Sequence, residues 1–92
     1  MSRAPSNEVL ARVRAFIAEN FYVPDAQTLR DDASLVEGGI VDSTGILEVI
    51  AFIERDFGVR VEDAEAIPAN LDSIQNIVAF VGVKQAREAA PA

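Results

Sequence analysis

The sequence of 92 residues contains no histidine, no cysteine and no tryptophan. Without histidine or cysteine it can form no Ser-His-Asp triad, no cysteine nucleophile, no disulfide and no His/Cys zinc site. Positive charge is also scarce, because 8 Lys and Arg stand against 15 Asp and Glu, which gives a net charge of −7. Nucleic acid is therefore not an expected partner, since phosphate backbones select basic surfaces.

Long apolar runs are absent as well. The longest runs, residues 49–53 and 77–81, have five residues each, whereas a membrane span needs about 20. The first residues show no apolar segment of the kind that signal peptides contain. We therefore expect a cytoplasmic protein without a membrane span.

Hydrophobic residues nevertheless make up 50% of the chain, which is enough to form the core of one small domain. We expect a single domain over residues 1–92, with its core at about residues 6–86 and a short tail at each end. A first apolar stripe has helical spacing and consists of Val9, Leu10, Val13, Phe16 and Ile17. It predicts a helix that Ser6 caps and that ends near Asn20, because Pro24 disfavours helical geometry in the residue before it.

A second helix is predicted over residues 43–57. Asp42 or Ser43 can cap its start, and Gly58 can end it. Residues 21–42, between the two helices, form a long loop, and loops of this length are usually functional.

The remaining third of the chain is also helical in pattern. One or two helical turns are expected at residues 63–67, before Pro68. Asp72 is predicted to cap a last helix, because Gln75 follows it at capping-box spacing. The predicted fold class is all-α, a small bundle of three long helices plus one short helix.

The second helix is more apolar than a surface helix needs to be. One face carries the stripe that a core requires. The opposite face mixes polar and apolar side chains and consists of Thr44, Leu47, Glu48, Ala51 and Arg55. Two interpretations remain open here: the long loop covers Leu47, or this face docks partner proteins.

Ser43 stands at the predicted start of that helix. Free backbone N–H groups and the positive end of the helix dipole favour a phosphodiester at such a position. The alternative is an ordinary N-cap, the commonest role of serine there.

Residues 35–48 resemble the attachment region of acyl and peptidyl carrier proteins. That family carries Asp-Ser at the head of the second helix, here Asp42 and Ser43, and a Glu five residues after the Ser, here Glu48. The resemblance covers about residues 8–84. The chain departs from the pattern at Thr44, where the family usually has Leu, and at Gly45, which weakens the first helical turn by about 1 kcal/mol relative to Ala.

The resemblance implies that a phosphopantetheinyl transferase moves 4′-phosphopantetheine from coenzyme A onto Ser43. Asp42 and Thr44, which flank the attachment point, are the other expected cofactor-binding residues. The magnesium ion belongs to the transferase, and no metal site is expected in this chain. The thiol of the cofactor would hold an acyl or aminoacyl group as a thioester, which needs no catalytic residue in the carrier. The departures at Thr44 and Gly45 favour a freestanding carrier of a specialised pathway that a separate ligase loads. The resemblance also implies a monomer, the usual state of carriers.

Acidic residues are concentrated around this region, since residues 25–72 hold 12 acidic residues and three Arg. Solvation of a small acidic protein is one interpretation. The other is an electronegative surface that docks basic patches of the transferase, the loading ligase and downstream enzymes. The predicted acids of this surface are Asp42, Glu48, Glu54, Asp56 and those of residues 62–65. Leu47, Ala51 and Arg55 are the further residues predicted to dock partners.

A cargo that folds back inside is predicted to lie near Ile46, Ile50, Val61, Ile67 and Ile74. Each of these residues can equally be an ordinary core residue. The rival function is an unmodified acidic helical module that binds a basic partner protein. The cargo itself (fatty acyl, polyketide, amino acid or D-alanyl) is left open.

Overall fold

The computed structural model describes residues 5–23, 25 and 29–89. Its helices are α1 (Pro5–Asn20), α2 (Ser43–Phe57), α3 (Pro68–Leu71) and α4 (Ile74–Ala89), with a 3₁₀ turn at Asp63–Glu65. Three helices have 15 or 16 residues, α3 has 4, and the described ranges contain no strand. The prediction of an all-α bundle with three long helices is confirmed.

Helix α1 presents a single buried stripe to the core. Val9, Val13 and Ile17 are buried at spacings of four residues, as the apolar pattern predicts. The helix ends at Asn20, as expected, but begins at Pro5, one residue before the predicted cap Ser6. The Ser6 side chain, Pro24 and the outermost residues of the predicted tails lie outside the described part of the chain.

Helices α1 and α2 are joined by a row of aromatic rings. Phe16 stacks on Phe52 with 4.1 Å between ring centroids, and its edge meets Phe21 at 5.8 Å. Phe57 meets Phe52 edge-to-face at 5.4 Å, and the Arg12 guanidinium lies 5.0 Å from the centre of the Phe57 ring. Since the early part of α1 lies beside the late part of α2, the two helices are antiparallel. Each such ring pair contributes about 0.5–1.5 kcal/mol beyond the area it buries.

The two ends of α2 follow the sequence signals. The Asp42 carboxylate accepts a hydrogen bond of 2.7 Å from the backbone N–H of Gly45, so Asp42 is the N-cap. Gly58 takes the left-handed conformation, with φ of 67°, and donates its N–H to the carbonyl of Glu54.

The start of α4 corrects one prediction. Ser73, not Asp72, precedes the first helical residue, and its Oγ accepts a hydrogen bond of 3.0 Å from the N–H of Asn76. The Asp72 carboxylate instead binds the long loop. Helix α4 then packs mainly on α1 and α3. The core consists of Val9, Val13, Ile17, Leu35, Val41, Val49, Phe52, Ile53, Val59, Leu71, Ile74, Ile77, Phe80 and Val81.

The segment between α2 and α4 is more divided than predicted. The expected helical turn is present as the 3₁₀ turn at Asp63–Glu65, but it ends before Ile67. A separate helix, α3, then begins at Pro68. Proline favours the first helical position because its missing N–H has no intrahelical acceptor there. Pro68 therefore starts a helix, where the sequence pattern suggested that it ends one.

An ion-pair network joins the 3₁₀ turn to α4. The buried ammonium of Lys84 lies 2.9 and 3.2 Å from the two carboxylate oxygens of Glu65, and Arg87 lies 3.6 Å from one of them. The backbone N–H of Glu62 also donates to Glu65 at 2.9 Å. The Glu62 hydrogen bond, and next the Lys84 ammonium, hold the pKa of the Glu65 carboxyl below its ordinary value.

This lowered pKa predicts a loss of stability in acid. Because the pKa is lower in the folded state, Glu65 stabilises the fold above about pH 4.3, the ordinary pKa of glutamate, and this contribution disappears as the pH falls through the lowered value. We expect Glu65→Gln to flatten the acid side of the curve of unfolding free energy against pH, measured by urea denaturation. Glu37→Gln, at an exposed carboxyl without an ion pair among the described residues, is the control. Parallel acid limbs for the wild type and Glu65→Gln would contradict the prediction.

Candidate functional site

A compact turn leads into the start of α2. Leu35 and Val41 are buried, and the carbonyl of Leu35 accepts hydrogen bonds from the N–H groups of Ile40 at 2.9 Å and Val41 at 3.1 Å. The chain therefore enters α2 from a closed loop with both ends in the core.

Asp72 fastens this loop to the junction of α3 and α4. One carboxylate oxygen accepts a hydrogen bond of 2.7 Å from Ser34 Oγ, and the other accepts one of 2.9 Å from the N–H of Val36. The N–H of Leu35 donates to the Asp72 carbonyl at 2.6 Å. The loop is thus held by three hydrogen bonds to one residue far away in the sequence.

Two further contacts hold the early part of the loop. The N–H of Gln75 donates to the carbonyl of Asp31 at 2.7 Å. Arg14 of α1 donates to the carbonyl of Leu29 at 3.1 Å and forms an ion pair with Asp31. Helices α1 and α4 therefore both fix the path of the chain towards Ser43.

Ser43 is the first residue of α2 and is exposed. Asp42 supplies the helix cap, so the interpretation of Ser43 as an ordinary N-cap is wrong. Its hydroxyl makes no hydrogen bond to any described residue. The backbone N–H groups of Ser43 and Thr44 belong to the first turn and have no intrahelical acceptor. The arrangement offers an accessible hydroxyl beside amides and a dipole that stabilise a negative charge.

Gly45 is buried next to this hydroxyl because Phe21 packs against it. A methyl group at position 45 would lie 2.7 Å from the edge of the Phe21 ring and 3.1 Å from a methyl of Val41. Sequence reasoning treated Gly45 only as a weak helix former and assigned no role to Phe21. No local pattern reveals this contact, since the two residues are 24 positions apart.

We expect Gly45→Ala to destabilise the protein by about 1 kcal/mol. The alanine gains about 1 kcal/mol of helix propensity, but overpacking costs typically about 1–3 kcal/mol. With Phe21→Ala in the background, the clash is relieved and the same substitution should become stabilising. Urea denaturation of the four proteins of this cycle measures the change of sign. A stabilising Gly45→Ala in the otherwise wild-type protein would contradict the prediction.

The exposed face of α2 follows directly from Ser43. Leu47 is 66% exposed, so the loop does not cover it. Thr44, Glu48, Ala51 and Arg55 are exposed on the same face. An apolar side chain that is open to solvent and framed by polar residues is typical of a contact surface.

Most of the acids predicted to form an electronegative docking surface have partners within the chain. Glu54 accepts a hydrogen bond of 2.9 Å from the N–H of Val61. Asp56 pairs with Arg55 at 3.1 Å and with Arg12 at 3.5 Å. Asp42 caps α2, Glu65 binds Lys84, and Glu62 lies 3.8 Å from Arg60. Glu48 has no ion pair or hydrogen bond to a described residue, and it is the acid of this face that remains available.

The five residues predicted to lie near a cargo occupy different environments. Ile46, Ile50 and Val61 are partly buried and pack against the core. Ile74 is completely buried, and Ile67 is 44% exposed. The first three therefore lie at the edge of the core.

Two kinds of site are not found in the part of the chain that the structure describes. Its Asp and Glu side chains nowhere form a group of three that could hold a metal ion. None of the described helices combines the length and apolarity that crossing a bilayer requires.

Comparison with known proteins decides what this arrangement is. The profile of the family described as "Phosphopantetheine attachment site" matches residues 11–81. This chain belongs to the phosphopantetheine-binding carrier family. Its members carry covalently attached 4′-phosphopantetheine, and the resemblance seen in the sequence is thereby confirmed.

Three acyl carrier proteins are similar to this chain over most of its length. The acyl carrier protein of Thermosynechococcus vestitus is 32% identical over 80 residues, which cover 87% of this chain and 95% of that protein. The acyl carrier protein of Thermotoga maritima is 26% identical over 81 residues, covering 88% and 96%. That of Campylobacter hominis is 32% identical over 75 residues, covering 80% and 90%.

The residues present suit the cofactor of this family. A phosphodiester needs an exposed hydroxyl and neighbouring donors, and the start of α2 provides both. When bound, the cofactor supplies the thiol that a chain without cysteine lacks.

Proposed function

We propose that Ser43 is the attachment residue and that this protein delivers acyl or aminoacyl groups between enzymes. The observation that carries the proposal is the exposed Ser43 hydroxyl, which neither caps α2 nor binds another described residue. The fixed loop before it and the capped helix after it hold this hydroxyl in one place. A transferase therefore meets a preorganised acceptor.

The attachment step transfers a phosphoryl-linked group from coenzyme A. The Ser43 oxygen forms a bond to the phosphorus that bears the pantetheine, and the bond from that phosphorus to the nucleotide bisphosphate breaks. The hydroxyl proton passes to a base of the transferase, and the neighbouring Asp42 carboxylate remains the acceptor of the Gly45 N–H. The first-turn amides of α2 stabilise the resulting phosphodiester.

We further propose a freestanding carrier of a specialised biosynthetic pathway, loaded by a separate ligase. Thr44 supports this proposal, since an exposed hydroxyl replaces the leucine that the family usually offers to partners. Leu47 and Ala51 then provide the apolar contact, while Glu48 provides the charged one. Ile46, Ile50 and Val61 are the proposed edge at which a cargo chain enters the core.

Mass spectrometry of the wild-type protein tests the attachment. After incubation with coenzyme A, magnesium and a phosphopantetheinyl transferase, the intact mass should rise by one phosphopantetheinyl group. Trypsin then releases residues 31–55 as one peptide, because no Lys or Arg lies between Arg30 and Arg55. Ser34, Ser43 and Thr44 are its only hydroxyl side chains, and fragmentation should place the added mass on Ser43. An unchanged mass with several transferases would instead favour the unmodified interaction module.

A further inference from the structure

Two arginines lie at the far end of the seam between α1 and α2. Arg55 is 70% exposed at its side chain, and Arg12 is 45% exposed. Both guanidinium groups share the single carboxylate of Asp56, at 3.1 and 3.5 Å. The two exposed guanidinium groups at this end of the seam therefore share one carboxylate.

The near end of the same seam, towards Ser43, carries negative charge. The antiparallel contacts place Arg12 beside Asp56 and Phe16 beside Phe52, so Glu19 lies at about the level of Glu48. Glu19 and Glu48 are both exposed and have no ion pair among the described residues. Two unneutralised acids therefore lie near the start of α2.

A groove lies between these two ends. It has a volume of about 290 Å³ and is lined by residues of both helices, among them Arg12, Phe16, Glu19, Phe52 and Arg55. Glu48 and Arg55 are seven residues apart on α2, which is about 10 Å along the helix axis. The surface thus changes sign over about two helical turns, with an aromatic floor between the charges.

We propose that this bipolar seam, defined as Glu19 and Glu48 at one end and Arg12 and Arg55 at the other, selects the carrier's enzyme partners. The inference rests on the proposed function. The fitting partner is an enzyme whose contact surface has a basic side chain near its active-site entrance and an acidic side chain about 10 Å away. Partners with a uniformly basic surface are disfavoured, because Arg55 repels them and Arg12 reinforces that repulsion.

Charge reversal at Arg55 tests the selection. Phosphopantetheinyl transferases of known structure are first sorted into those with a uniformly basic contact surface and those with an acid about 10 Å from the base. We expect Arg55→Glu to raise kcat/KM about fivefold with the first group and to lower it about fivefold with the second, as one exposed ion pair gained or lost predicts. Both effects should shrink at high salt.

Arg30→Glu is the matched control. Arg30 is 78% exposed and pairs with its neighbour Asp32 at 3.0 Å, much as Arg55 pairs with Asp56, but it lies in the loop and not on α2. We expect it to change kcat/KM by less than twofold with either group. If Arg55→Glu and Arg30→Glu shift all transferases alike, net charge explains the effect and the proposal is wrong.

Binding without transfer separates this proposal from the attachment at Ser43. The affinities of carriers that also contain Ser43→Ala are measured for the same transferases in the absence of coenzyme A. The opposite effects of Arg55→Glu on the two groups should persist in these affinities. Their absence overturns the proposed selection, whereas failure of every transferase to modify the wild type counts against the proposed function.

Discussion

A carrier with alanine in place of Ser43 is expected to gain no phosphopantetheinyl mass under conditions that convert the wild type completely. The alanine removes the exposed Ser43 hydroxyl at the first position of α2, which takes no part in capping the helix. Thr44 cannot replace it, because the neighbouring helical residue points about 100° away around the helix axis. Intact mass after a full time course measures the loss.

Two control variants sharpen this result. Thr44→Val removes the adjacent exposed hydroxyl and should still be modified. Ser43→Ala should keep the wild-type free energy of unfolding within about 0.5 kcal/mol, because the exposed hydroxyl makes no hydrogen bond to a described residue. Modification of the Ser43→Ala carrier, or its loss with Thr44→Val alone, would show that the attachment point is misassigned.

Asp72→Ala is expected to lower the free energy of unfolding by about 3 kcal/mol. The substitution leaves Ser34 Oγ and the N–H of Val36 without their shared acceptor, and hydrogen bonds to a charged group are worth about 1.5–3 kcal/mol each. The two bonds together would be worth about 3–6 kcal/mol, and the partial exposure of Asp72 favours the lower end of that sum. Urea denaturation gives the value.

Ser34→Ala and Asp32→Ala are the comparison variants for Asp72→Ala. Ser34→Ala removes one of the two side-chain contacts of Asp72 and should cost about 1 kcal/mol, with less than additive loss in combination with Asp72→Ala. Asp32→Ala removes an exposed carboxylate and should leave the free energy of unfolding close to that of the wild type. A loss at Asp72 no larger than that at Asp32 would mean that the loop is not held in this way.

The same loop connects stability with function. It precedes Ser43 directly, and its position depends on Asp72 at the other end of the chain. Asp72→Ala keeps the Ser43 hydroxyl, but the loop before α2 is no longer held in a fixed position. We therefore expect slower phosphopantetheinyl transfer to Asp72→Ala in urea-free buffer, with the attachment still on Ser43.

Local sequence signals predict the end of a helix correctly where a single residue caps it. Asp42 caps α2 and Gly58 ends it, because each acts on backbone groups within four residues of itself. Where two adjacent residues can do the same work, the local signal is ambiguous. Asp72 and Ser73 are both good caps, and only the distant partners Ser34 and Val36 decide between them.

The charge of the site is likewise only partly predictable from the sequence. The acidic composition around Ser43 is visible in the sequence. Most of those carboxylates, however, bind Arg, Lys or backbone N–H groups of this chain, and which of these lie close enough depends on the fold. Arg12 is 44 positions from Asp56, and Lys84 is 19 positions from Glu65. Glu48 thereby becomes the main available acid on the α2 face, a result that composition alone does not contain.

By itself, the sequence determined the all-helical class, the bounds of α2 and the position of Ser43 at its start, because capping, apolar period and the Asp-Ser motif are local properties. Together with the resemblance to carrier proteins, the absence of cysteine also indicates that the cofactor supplies the thiol. The folded structure is needed to see that Gly45 leaves room for Phe21, that Asp72 holds the loop and that Leu47 is open to solvent. These depend on contacts between distant parts of the chain, which no local pattern encodes.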